Sequence, residues 1–113
     1  LENPQQADPV PSIPRVSVIL PNFNHGKFIR DSIFSILNQS VQPLEIIVID
    51  DASTDKSVSI VEKLTEEFST VRLIRNKKNK GVIHGMNLGT MEAEGDIILY
   101  RAADDHLLQR GRE

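Results

Sequence analysis

The chain has 113 residues, enough for one small domain with a single hydrophobic core. It has no cysteine, which excludes disulfides and thiol chemistry, and its net charge of -3 argues against nucleic acid as the main partner. No apolar run approaches the roughly 18 residues of a membrane span, the N-terminus lacks a charged-then-apolar signal pattern, and one tyrosine with four phenylalanines offers little for stacking single-stranded bases.

Residues 1–14 hold Pro4, Pro9, Pro11 and Pro14. Proline removes backbone donors and favours extended structure, so this stretch is expected to be a flexible linker or arm, with the folded part at residues 15–113. Val16 to Leu20 reads as a short strand stopped by Pro21. Asn22 to Gly26 is a loop. Lys27 to Gln39 carries Ile29, Ile33, Ile36 and Leu37 at helical spacing, with Asn24 as a plausible cap.

The second strand, Glu45 to Ile49, has no polar alternation in Ile46-Ile47-Val48-Ile49, which predicts burial on both faces. It runs into Asp50 and Asp51. Adjacent like charges at a strand end are costly unless a cation, a donor-rich ligand or water stabilises them. The plainer reading is a solvated turn whose acids cap the next helix. Ser53 or Thr54 can also cap that helix, whose apolar positions are Val58, Val61, Leu64 and Phe68.

Val71 to Ile74 reads as a third strand, and Arg75 to Lys80 as a basic loop that is either solvated or meets a diphosphate or an anionic surface. Gly81 to Glu94 reads as a third helix. Its Gly85 and Gly89, each costing about 1 kcal/mol against alanine, suggest close packing on one face. Gly95 ends it, and Asp96 to Tyr100 is a fourth strand, followed by Ala102, Ala103, Asp104 and Asp105.

Strand-helix repeated three times, then a strand, implies an α/β fold: three layers, α/β/α, with a mainly parallel sheet in the order 3-2-1-4. That order gathers the loops at residues 21–24, 50–54 and 102–105 around one crevice. Clustered carboxylates there suit a divalent metal or the hydrogen-bond donors of a nucleobase or ribose. Pro21-Asn22-Phe23-Asn24-His25-Gly26 matches neither a dinucleotide fingerprint nor a Walker loop, which points away from dehydrogenases and P-loop enzymes. His25, His84 and His106 show no metal-ligand spacing.

Five segments in order carry a resemblance: Val18 to Asn24, Ile47 to Asp55, Asn79 to Gly81, Asn87 to Gly89, and Gly95 to Asp105. With them the chain resembles the N-terminal half of a family 2 glycosyltransferase with the Rossmann-like GT-A fold. The resemblance implies a sugar moved from a nucleotide-diphosphate donor, a UDP-sugar foremost, to an unidentified acceptor in polysaccharide biosynthesis, with metal assistance and inversion. It implies nucleotide contacts from Pro21, Phe23, Asp50, Asp51 and Asn87, and a Mn2+ or Mg2+ ion at Asp104 and Asp105. It implies a cytoplasmic location, at the membrane face in a full protein.

Two residues depart from the family pattern. Ala102 stands where the first aspartate of Asp-x-Asp-Asp is usual, and Met86 where an arginine often precedes Asn87, leaving Lys80 or Arg101 to meet the diphosphate. No catalytic base is assigned; one is expected beyond Glu113, where the domain looks cut. The chain alone is therefore expected to be marginally stable and inactive, and to associate through an exposed sheet or helix surface. Two alternatives remain at this stage: a non-catalytic relative that keeps the fold for binding, and a phosphoacceptor receiver domain.

Overall fold

The computed structural model describes residues 13–103. The linker expected at residues 1–14 and the acidic pair Asp104 and Asp105 therefore lie wholly or mostly outside the described residues. Within them the order is β1 (Val16–Asn22), α1 (Ile29–Leu37), β2 (Glu45–Asp51), α2 (Ser57–Glu67), β3 (Val71–Asn76), α3 (Val82–Glu92) and β4 (Ile97–Tyr100). The four strands form one parallel sheet in the order β3-β2-β1-β4, as the alternation of elements implies.

β2 is buried along its whole length, in keeping with its unbroken apolar run. Its side chains serve two layers. On one face Val18, Leu20, Ile46 and Val48 pack under Ile29, Ile33 and Ile36 of α1 and Val61 and Leu64 of α2. On the other, Ile19, Ile47 and Ile49 meet α3 and its Leu88. Phe34 and Phe68 join α1 to α2 edge-on, 5.6 Å between ring centres. Burial of these aliphatic side chains, at roughly 1.5–3 kcal/mol each, is the main favourable term.

Glycine sets how closely α3 lies on the sheet. A Cβ on Gly89 would come within 2.5 Å of Ile19 Cγ2, and one on Gly85 within 3.3 Å of Ile49 Cγ2. The glycine pair is thus a packing device. At the opposite, N-terminal end of the strands, buried Glu45 accepts from Ser17 Oγ at 2.7 Å, from the Glu94 N–H at 2.7 Å and from Arg72 at 2.8 Å. Burial alone would raise its pKa, but these donors, with the Arg72 charge, hold it below the usual carboxylate value.

Several local expectations are corrected. Pro21 does not stop β1; the strand runs on to Asn22, with Pro21 in register with Ile49. Arg15 and Ile19 turn their carbonyls to β4, where Ile97 and Arg101 donate to them. Pro21 has the same parity, and its missing N–H faces the side on which β4 has already ended, so no ladder bond is lost. Asn24 does not cap α1: its Oδ1 accepts from the N–H groups of Thr54 and Asp55 across the crevice. Asp55, not Ser53 or Thr54, receives the N–H and hydroxyl of Ser57 at the start of α2. β2 and β3 each run two residues beyond their predicted ends, and β4 begins one residue later than predicted.

Candidate functional site

A cavity of about 290 Å³ opens at the C-terminal ends of β1, β2 and β4. β1 lies between β2 and β4: the chain passes from β1 through α1 to β2 on one side, and reaches β4 on the other side from β3 through α3, with α1 and α3 on opposite faces of the sheet, so the strand order reverses at β1. That is the crevice where open α/β sheets bind ligands. One wall comes from Pro21, Phe23 and His25, a second from Ile49 and Asp51, a third from Gly81 and from Val82, Gly85 and Met86 of α3, and a fourth from Tyr100 to Ala103.

The two adjacent aspartates have separate tasks. Strand alternation sends their side chains to opposite faces. Each is met by the asparagine in register with it on the next strand: Asn22 of β1 for Asp50, Asn76 of β3 for Asp51. Asp50, only 2% exposed, accepts from Asn22 Nδ2 at 2.9 Å, the Ser53 N–H at 2.9 Å and Ser53 Oγ at 2.7 Å. Ser53 Oγ also takes the N–H of Asn24, and Asp55 takes that of Gly26. This web clamps the loop after β1 to the loop after β2. It holds Phe23 outward at the cavity wall, 44% exposed. Asn24 and Ala52 both carry positive φ, 55° and 67°.

Asp51, 8% exposed, faces the cavity. Its Oδ1 accepts from Asn76 Nδ2 at 3.1 Å and the Lys80 N–H at 2.8 Å, and its Oδ2 from the Gly81 N–H at 2.8 Å. The two backbone donors lie at the entry to α3, whose positive end favours an anion. Burial would raise the Asp51 pKa; the Lys80, Asn76 and Gly81 donors, with the charge of nearby His84, hold it below the ordinary value. A carboxylate has about four acceptor positions, so Oδ2 retains one for a further donor. Gly81, at φ 91°, makes the turn that aims both N–H groups at the carboxylate.

The model of the family described as Glycosyl transferase family 2 matches residues 17–109. The chain belongs to that family. Among its curated relatives are a putative glycosyltransferase, EpsE, of Bacillus subtilis, 39% identical over 81% of this chain, and a GalNAc(5)-diNAcBac-PP-undecaprenol beta-1,3-glucosyltransferase of Campylobacter jejuni, 36% identical over 85%. The chain spans only 34% and 31% of their lengths. Among solved structures it is similar to the mannosyltransferase PcManGT of Pyrobaculum calidifontis in complex with GDP-Man and Mn2+, with TM-score 0.74 and 31% identity over 80% of this chain and 28% of that one. It is also similar to S. aureus TarS in complex with UDP, with TM-score 0.72 and 31% identity over 80% of this chain and 27% of that one. The sheet order is the Rossmann-like arrangement these neighbours share.

In this family 2 chain the cavity brings together Pro21, Phe23 and Asp51 of the residues singled out from sequence. Asp50 points to the opposite face, and exposed Asn87 is not among the lining residues. Sequence reasoning missed the asparagines opposite the two aspartates, the backbone donors of Lys80 and Gly81, and Val82 and Tyr100 in the walls. Backbone N–H groups leave no residue signature, although the Asn79-Lys80-Gly81 segment marked their place. Among the described residues no three carboxylate or histidine side chains are grouped to hold a metal.

Proposed function

We propose that this chain holds the nucleotide of a sugar-nucleotide donor, as part of an enzyme that transfers the sugar to an acceptor. The observation that carries the reading is Asp51: a buried, ionised carboxylate in the switch-point cavity, with one acceptor position left and an exposed aromatic ring, Phe23, across from it. An N–H on the edge of a nucleobase would complete Oδ2, and the base would lie against Phe23. A uracil ring presents one such N–H beside two carbonyls, and we therefore favour a UDP-sugar. The TarS complex with UDP supports that choice, and the GDP-Man complex of PcManGT shows a second base in a neighbour.

In this reading Pro21 shapes the floor, and Asp50 acts through the loop clamp instead of touching the ligand. Asn87 remains a proposed contact near the diphosphate on α3. We assign Mn2+ or Mg2+ to Asp104 and Asp105, which lie outside the described residues and whose hard oxygen atoms suit either ion. The PcManGT neighbour is complexed with Mn2+. When bound, such an ion would neutralise the diphosphate that leaves with the nucleotide. We assign no catalytic base among these residues, and propose an inverting transfer in polysaccharide assembly at the cytoplasmic face of the membrane. Family membership replaces the receiver-domain alternative.

The test is titration calorimetry of the protein from its full reading frame with UDP and Mn2+. Binding is expected, with loss of about tenfold or more on Asp51→Ala, the cost of one hydrogen bond to a charged group. No binding, or binding indifferent to Asp51→Ala, sinks the assignment. Binding without sugar transfer would mark a non-catalytic relative, the reading that Ala102 favours.

A further inference from the structure

We propose that the β3–α3 corner is a docking surface for an anionic lipid bilayer. In a chain of net charge -3, Arg75, Lys77, Lys78 and Lys80 put four cations into six residues with no acid among them. All four are exposed, and among the described residues none is in an ion pair; those present join Arg15 to Asp96 and Arg72 to Glu45 and Glu92. Two carboxylates lie beside this loop, and both are turned inward: Asp51 onto the Lys80 and Gly81 N–H groups, and Asp50, in register with Arg75, onto Asn22 and Ser53.

One residue past the cations, after Gly81, come Val82 and Ile83, 58% and 65% exposed. Two β-branched apolar side chains in water at a helix start add nothing to the core, whose α3 contribution is Gly85, Gly89 and Leu88. A basic rim beside an apolar tip has the composition of an interfacial anchor: the cations meet lipid phosphates and the apolar pair enters the acyl boundary. Charge complementarity selects an anionic bilayer over a neutral one, and the apolar pair selects a bilayer over a soluble polyanion. Gly81 and Val82 also line the cavity, so docking here would set the cavity mouth against the membrane.

The surface is tested by flotation of the protein from its full reading frame with phosphatidylcholine vesicles, with and without phosphatidylglycerol. Binding is expected only with phosphatidylglycerol present. Each neutralised cation should weaken it about fivefold, so K77Q/K78Q should weaken it about twenty-five-fold. I83S should weaken it about tenfold at unchanged charge. UDP affinity measured in solution without vesicles should be unchanged in K77Q/K78Q, which separates a failure of this surface from a failure of the nucleotide pocket. Equal flotation with neutral vesicles, no flotation at all, or full binding by K77Q/K78Q overturns the proposal. So does binding to heparin that I83S leaves as strong as binding to anionic vesicles.

Discussion

Asp50 and Asp51 are neighbours in sequence with different consequences. Asp51→Asn would turn an NH2 group toward either the Lys80 or the Gly81 N–H, stranding one of these part-buried donors at about 1–3 kcal/mol. It should lower both stability and UDP affinity. Asp50→Asn should cost a similar amount in chemical denaturation by loosening the Asn22–Ser53 clamp, yet keep UDP affinity within about threefold, because no ligand contact is removed. Equal loss of affinity in both variants would refute the division of labour. Acid should act on the same groups. Asp51, Asp55 and Glu45 all have folded pKa values below their ordinary ones. Their contribution is present above the unfolded values and is lost as pH falls through the folded ones. Denaturant midpoints should therefore be level near neutrality and drop progressively below about pH 5. A midpoint that rises on acidification would contradict this. Ala52 adds a backbone test: at φ 67° a β-branched residue is strongly disfavoured, so Ala52→Val should destabilise by about 2 kcal/mol.

The strands and helices were legible where periodicity was strong. The apolar run of β2 and the spacing of Val61 and Leu64 are written by burial, and burial is what they show. The element ends were less legible, because they depend on partners distant in sequence. Asn24 has the chemistry of a cap, but the nearest free N–H groups belong to Thr54 and Asp55, thirty residues on, not to its own helix. Pro21 looked like a stop because a single sequence does not reveal which side of a strand lacks a neighbour. Of the site, Phe23 and Asp51 were readable from side-chain chemistry and resemblance; the backbone donors were not. The glycines of α3 give the sharpest test at this scale. Gly89→Ala should gain helix propensity but force a Cβ onto Ile19, with a net cost of about 1–3 kcal/mol by thermal or chemical unfolding. Gly85→Ala, with its nearest atom 0.8 Å further away (3.3 against 2.5 Å), should stay within about 1 kcal/mol of the parent. The reverse order would show that α3 does not rest on Ile19.

At the largest scale, Ile97, Leu99 and Tyr100 of β4 are exposed, as is Met91 of α3, and among the described residues β4 has a strand on one side only. An apolar edge of this kind templates pairing with another chain. The 113-residue chain alone should therefore show concentration-dependent association in sedimentation velocity, and Leu99→Lys should reduce it; a strict monomer at all concentrations would show that the edge is inert. No helix among the described residues is long and apolar enough to cross a membrane. β4 also has a place in time. Its ladder with β1 is four residues long, and it joins Val16 to Ile97, across most of the described chain. Closing so long a loop for so short a ladder makes this the late and easily reversed step of folding. The amides of β4 should exchange with deuterium far faster than those of β1 and β2, and nucleotide should slow them. The cavity wall from Tyr100 to Ala103 would then be assembled partly by the ligand it receives, so donor affinity would carry the cost of seating the last strand.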